Sequence, residues 1–171
     1  MFTNHQIQIQ SLPKVDDINF TNVEKSYFSI ILFNLIITYG LIASVFTVFK
    51  VFSNREGFQE LYWWLIVVLV FLFLIQVIVY KVGFSKRKYA MREKDISYSE
   101  GLITTSTTTL PFNRIQHIEI QRSFLSRKLN LSTLKIYSAG ESGGDLSIKG
   151  LPKETAENMN AFLTNIINER L

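Results

Sequence analysis

Few side chains in this sequence are equipped for chemistry. Histidine occurs at His5, in a polar tail, and at His117, where the following Ile118 puts the imidazole on the outward face of a strand beside Glu119. A metal ion needs three or four ligands at compatible spacing, and the sequence offers no such cluster, so His117 is read as a bystander. The chain has no cysteine, which excludes disulfides, iron–sulfur clusters, thiolate zinc sites, a cysteine nucleophile and lipid attachment at a cysteine. A Gly-x-Ser-x-Gly elbow, a phosphate loop and a dinucleotide fingerprint are all missing. Gly143-Gly144, inside the stretch Glu141–Asp145, reads as a turn in preference to an anion nest. No nucleophile–base pair is visible, so the expectation is a protein that is not an enzyme and has no cofactor, metal or small-molecule substrate.

One constellation has physical consequences. Lys86, Arg87, Lys88, Arg92 and Lys94 fall close together, and from Lys86 onward thirteen Lys/Arg face nine Asp/Glu. The whole excess of the net charge of +4 therefore lies in the C-terminal part. These cations sit directly after an apolar run. Their simplest role is to hold their side of the membrane in the cytoplasm. They are also candidates for contact with anionic lipid, each worth about 1 kcal/mol near such a leaflet. Arg114, Arg122 and Arg127 form a second possible patch, with Arg114 and Arg127 expected to have structural partners in turns.

Two elements must position these groups. Phe28–Phe49 and Leu61–Tyr80 contain no charged residue, and each is about 30 Å long as a helix, enough to cross a bilayer core. The first follows a polar tail of 27 residues and is read as a retained anchor, not a signal peptide. Tyr62, Trp63 and Trp64 mark one interface, and Tyr27 and Tyr80 the other. The Lys/Arg excess after the second span predicts an external loop at 50–60 and cytoplasmic termini on both sides of a hairpin. Asn34 and Gln76 lie at similar depth and are expected to hydrogen-bond across the hairpin, because an unpaired amide in hydrocarbon is costly. Gly40, Ser44 and Thr47 form a small-residue stripe suited to close helix approach, within the hairpin or with another subunit. With no Asp, Glu, Lys, Arg or His in either span, a pump or proton relay has no obvious machinery.

Beyond the spans the pattern becomes short strands and turns. Strands are predicted at Tyr89–Met91 and Ile96–Tyr98, then a turn at Ser99-Glu100-Gly101, then a Thr-rich edge strand over Leu102–Leu110 that Pro111 interrupts. Ile115–Gln121 reads as a strand with Ile118 and Ile120 inward and a bulge near Ile115. A helical turn at Phe124–Leu129 and strands around Leu134/Ile136 and Leu146/Ile148 follow. Pro152 and Glu154 open a final helix whose stripe runs through Ala156, Met159, Phe162 or Leu163, Ile166, and Arg170 or Leu171. Antiparallel strands covered by one amphipathic helix outline a pleckstrin-homology-like barrel or sandwich.

The stretch Leu110–Gly140 resembles the bacterial pleckstrin-homology (PH) domain of YdbS-like membrane proteins. The resemblance rests on Pro111, Arg114, Ile115, Gln116, Leu125, Arg127, Leu131, Leu134, Ile136, Ala139 and Gly140, residues expected to be structural. It extends over about Phe28 to Leu163. Asn130 stands where family members usually carry Gly, and Asn tolerates the left-handed backbone next best. The resemblance implies a PH-like fold at the bacterial inner membrane and association with a companion protein carrying copies of the same domain. The expected organisation is a tail at 1–27, a hairpin at 28–82 and a cytoplasmic PH-like domain at 83–171. The expected function is a membrane-anchored interaction module acting with itself or a companion protein. The alternative is an anionic-lipid sensor using the juxtamembrane basic face. Membrane lipids are expected partners and nucleic acid is not.

Overall fold

The computed structural model describes residues 18–53, 56–102, 104–138 and 145–169. Two helices dominate its length: α1 (Tyr27–Phe52) and α2 (Glu56–Phe84). Both are long and apolar enough to cross a membrane. They meet along a narrow seam. On α1 the shielded positions include Leu35, Tyr39, Ala43 and Phe46, and on α2 they include Tyr62, Leu69, Phe73 and Gln76. That spacing of three and four is one face of each helix. Many of the other apolar side chains point outward, among them Val45, Phe71 and Trp64. Such a surface is stable only against lipid.

The loop end of the hairpin is tied together. Lys50 Nζ lies 4.3 Å from the Tyr62 ring centroid and 4.5 Å from that of Trp63. Gln59 Nε2 donates to the carbonyls of Lys50 and Ser53, satisfying acceptors that the end of α1 leaves free.

The rest of the chain is β2 (Lys88–Met91), β3 (Asp95–Glu100), β4 (Ser106–Pro111), a 3₁₀ turn (Phe112–Arg114), β5 (Ile115–Gln121), α3 (Phe124–Lys128), β6 (Leu131–Ser138), β7 (Leu146–Pro152) and α4 (Lys153–Asn168). A further two-residue strand, β1 (Thr21–Asn22), precedes the hairpin and pairs antiparallel with β2 through Thr21↔Tyr89 and Asn22↔Lys88. Val23 joins the domain core beside it. The spans are thus inserted between the first two strands of one sheet, and the expected boundary at 83 leaves out part of the domain.

Among the described residues the strands form two antiparallel sheets, β1-β2-β3-β4 and β5-β6-β7, and do not close into a barrel. Inward residues pair across neighbouring strands: Ile118 with Ile136, Ile120 with Leu134, Leu134 with Ile148, and Ile136 with Leu146. The bulge expected near Ile115 lies between Ile115 and His117. α4 lays Ala156, Met159 and Leu163 into the core that both sheets share, and Phe162 turns its ring edge toward Phe112 at 6.1 Å. Lys153 N–H donates to the Asn130 carbonyl, joining the start of α4 to the turn before β6. Asn130 adopts the left-handed conformation, φ 55°, as expected.

One turn is displaced from its expected place. Ser99 and Glu100 belong to β3 because Ser99 pairs with Thr107 and Glu100 with Ser106. Only Gly101, with φ 123°, starts the turn, since an added Cβ there would collide with the Thr104 carbonyl. His5, Gln6–Gln10, Arg55, Ala139, Gly140, residues 141–144 of the expected Glu141–Asp145 turn, Arg170 and Leu171 lie outside the described residues.

Candidate functional site

The residues singled out from sequence converge on the junction between hairpin and domain, but not as one basic face. Arg87 Nε lies 3.8 Å from Glu100 Oε2, and the Arg87 side chain is only 22% exposed. Arg92 makes a two-pronged contact with Asp95 at 2.8 and 2.7 Å. Lys88 Nζ lies over the Phe20 ring, 4.5 Å from its centroid. Lys86 and Lys94 are exposed and have no ion pair among the described residues. Arg92 and Lys94 also sit at the far end of β2 from α2, about 13 Å away at the usual rise per residue, beyond a physiological Debye length from Arg87. Two of the five cations are therefore paired with carboxylates, and the cluster is spread along a strand.

The junction itself is packed. Glu24 N–H donates to the Gly150 carbonyl at 2.9 Å. Gly150 has φ 80°, and a Cβ there would meet the Tyr27 Cβ and Cγ at 2.8 Å. Tyr27 and Phe28 both approach the Phe84 ring, at centroid distances of 6.5 and 5.8 Å. The glycine is thus required both by the backbone and by the close approach of α1. Tyr98 donates to Glu100 at 3.3 Å. Burial pushes its phenol well above the ordinary range, and the Glu100 charge adds to the effect.

Within the hairpin, Gln76 bonds across the helices to a residue the sequence did not single out for it. Tyr39 Oη donates to Gln76 Oε1 at 2.7 Å. Asn34 is exposed and does not pair with Gln76. The physical reason is angular: Asn34 precedes the buried Leu35 by one residue, so it stands about 100° round the helix from the seam. Tyr39, four residues after Leu35, lies on the seam. The small-residue stripe meets the second helix only at its far end. Gly40 has no atom within 4 Å of a notional Cβ, Ser44 bonds back to the Leu41 carbonyl, and Thr47 reaches Tyr62 Oη at 3.1 Å.

The family-motif residues divide between the core and the surface. Ile115, Leu131, Leu134 and Ile136 are buried, and Leu125 is half-buried. Pro111 ends β4, and Gln116 is exposed. Neither Arg114 nor Arg127 makes the expected side-chain contact; both are exposed. Arg122 does so instead, donating to the Leu131 carbonyl at 3.1 Å and reaching Asn130 Oδ1 at 3.5 Å. His117 stacks on Tyr137, and Glu119 accepts from Gln121 and from Tyr137. Those hydrogen bonds hold the Glu119 carboxyl below the usual carboxylate range. Among the described residues no group of three His, Asp or Glu converges.

β4 is the edge of its sheet. The run from Thr104 to Pro111 bears no charged residue. Thr107 and Thr109 hydrogen-bond to Ser99 and Ser97 on β3, while the opposite margin of β4 has no neighbouring strand among the described residues.

A family model described as "Bacterial PH domain" matches residues 20–169, starting where β1 and Phe20 join the sheet. The chain is 27% identical over 103 residues to the UPF0699 transmembrane protein YdbS of Bacillus subtilis (strain 168). That similarity spans 60% of this chain and 60% of the relative's length. No solved structure matches. The motif, the hairpin and a match across nearly the whole described length agree: the chain belongs to the bacterial PH domain family, as a YdbS-like membrane protein.

Proposed function

We propose that this protein is a non-enzymatic interaction module, a PH-like sandwich fixed to the membrane by a helical hairpin. Its domain and both termini lie in the cytoplasm of a bacterium, and it works in an inner-membrane complex with copies of itself or with a companion carrying related domains. The observation that carries this reading is β4. Unpaired strand edges are normally protected by charge, bulges or covering elements, because they template pairing with another chain. Among the described residues β4 has a single neighbouring strand, and it has no charge and carries Pro111 at one end. A strand added there gains main-chain hydrogen bonds with the domain held at a fixed distance from the bilayer.

The test is recovery of the intact protein in detergent, with light scattering and mass spectrometry of whatever accompanies it. A homo-oligomer or a stoichiometric companion is expected. Thr108→Lys places a charge on the exposed edge and should abolish the association while the domain melts normally. A monomer without companion, or an association unaffected by Thr108→Lys, contradicts the reading.

A further inference from the structure

A groove of about 420 Å³ runs between α1 and α2 at their domain end and reaches β7. Its lining is unusual for a surface in hydrocarbon. Asn34 and Gln76 stand within the spans, and Arg87 and Lys149 come from the domain side. The Asn34 side chain is exposed and has no hydrogen bond among the described residues. Gln76 uses its carbonyl oxygen to accept from Tyr39, and its NH₂ group has no acceptor among the described residues. Lys149 is exposed and has no ion pair among the described residues. Arg87 is engaged by Glu100 only at its Nε, at 3.8 Å. The groove therefore presents two cations at its domain end and two unsatisfied amide donors deeper in.

We propose that this groove binds one anionic phospholipid. Arg87 and Lys149 hold the phosphate, with Glu100 keeping the Arg87 guanidinium in place, and the Asn34 and Gln76 amides donate to the ester carbonyls. A glycerophospholipid presents its acceptors in this order on entering a leaflet, the charged phosphate outermost and the esters deeper. Cations near an anionic leaflet attract lipid phosphates, and amides in hydrocarbon require acceptors. A free phosphate satisfies only the outer half of the site. The site shares only Arg87 with the juxtamembrane basic cluster, and it is independent of β4, since a lipid can occupy it whether or not the edge recruits a partner.

The test uses the full-length chain in a non-ionic detergent, titrated with phosphatidylglycerol, phosphatidylcholine and soluble glycerol 3-phosphate and read by native mass spectrometry. Phosphatidylglycerol should bind more tightly than phosphatidylcholine, and glycerol 3-phosphate should not be retained. Lys149→Gln should weaken phosphatidylglycerol binding about fivefold. Lys149→Arg should preserve binding, and Asn34→Leu should weaken it without lowering the melting temperature, as both positions are exposed. Lys94→Gln, which removes a cation outside the groove, should leave binding unchanged. Equal binding of the two lipids, wild-type binding by both Lys149→Gln and Asn34→Leu, or retention of glycerol 3-phosphate would overturn the proposal.

Discussion

The hairpin and the domain use the same apolar residue types in opposite ways. In the domain, Ile96, Leu134, Ile148 and Leu163 are fully excluded from the surface. In the hairpin, Val45, Phe71 and Trp64 are more than 60% exposed, and the helices shield each other only along a narrow seam. The difference is one of solvent. Water drives the domain's apolar groups together, whereas lipid gives the hairpin no such drive and leaves packing and a few hydrogen bonds to hold its helices. Where the two regimes meet, the chain relies on close steric fit, with Gly150 against Tyr27 and the Phe84 ring beside Tyr27 and Phe28.

The largest contrast should appear on truncating an apolar side chain in each region. Leu163→Ala should cost the domain about 2–5 kcal/mol in denaturant unfolding, by lost burial and the cavity left behind. Val45→Ala, facing lipid, should stay within about 0.5 kcal/mol when the protein is melted in detergent. Equal costs would mean that the hairpin has a water-excluded core like the domain's.

Glycine substitution should sharpen the comparison at the junction. Gly150→Ala forces a left-handed alanine, costing about 1–2 kcal/mol, and drives its Cβ into Tyr27. Tyr27→Ala should recover the steric part. Gly40→Ala, with open space around it, should be neutral or slightly stabilising.

A smaller effect separates the two candidate bonds within the hairpin. A double-mutant cycle on Tyr39→Phe and Gln76→Leu should show coupling of about 0.6 kcal/mol, the usual size of such a bond in a membrane. The cycle on Asn34→Leu and Gln76→Leu should be additive. Coupling in the second cycle alone would reverse the assignment.

The smallest effect lies on the solvated surface of β5. Because the folded pKa of Glu119 is lowered, its contribution is present above the unfolded carboxylate pKa and is lost as pH falls through the folded value. Glu119→Gln should lower the domain's stability slightly at neutral pH and leave it nearly unchanged in acid, so that the acid limb of the profile flattens. A steeper limb would contradict the sign.

Regular local patterns were readable from the sequence. The uncharged spans, the alternation of β6 and β7, the parity break at Ile115 and the tolerance of Asn130 for positive φ all follow from neighbours in the chain. Non-local and angular information was not. β1 is too short to show a period, and its partner β2 lies beyond the whole hairpin in sequence. Asn34 draws attention as an amide in a span, but only the three-dimensional seam reveals that Tyr39 faces Gln76. In the same way the turn arginine is Arg122, held by a backbone carbonyl that spacing alone does not identify. The charge run from Lys86 to Lys94 looks continuous in sequence, whereas pairing with Glu100 and Asp95 divides it.

The absence of native cysteine makes the central claim, two regions in two solvents, directly measurable. Single cysteines at Val45, Phe71 and Thr108 of the full-length protein in bilayers can be spin-labelled and their collision rates with oxygen and a water-soluble nickel complex compared. Labels at 45 and 71 should collide with oxygen and be shielded from nickel, and the label at 108 should show the reverse. Free access of nickel to 45 and 71 would contradict the account.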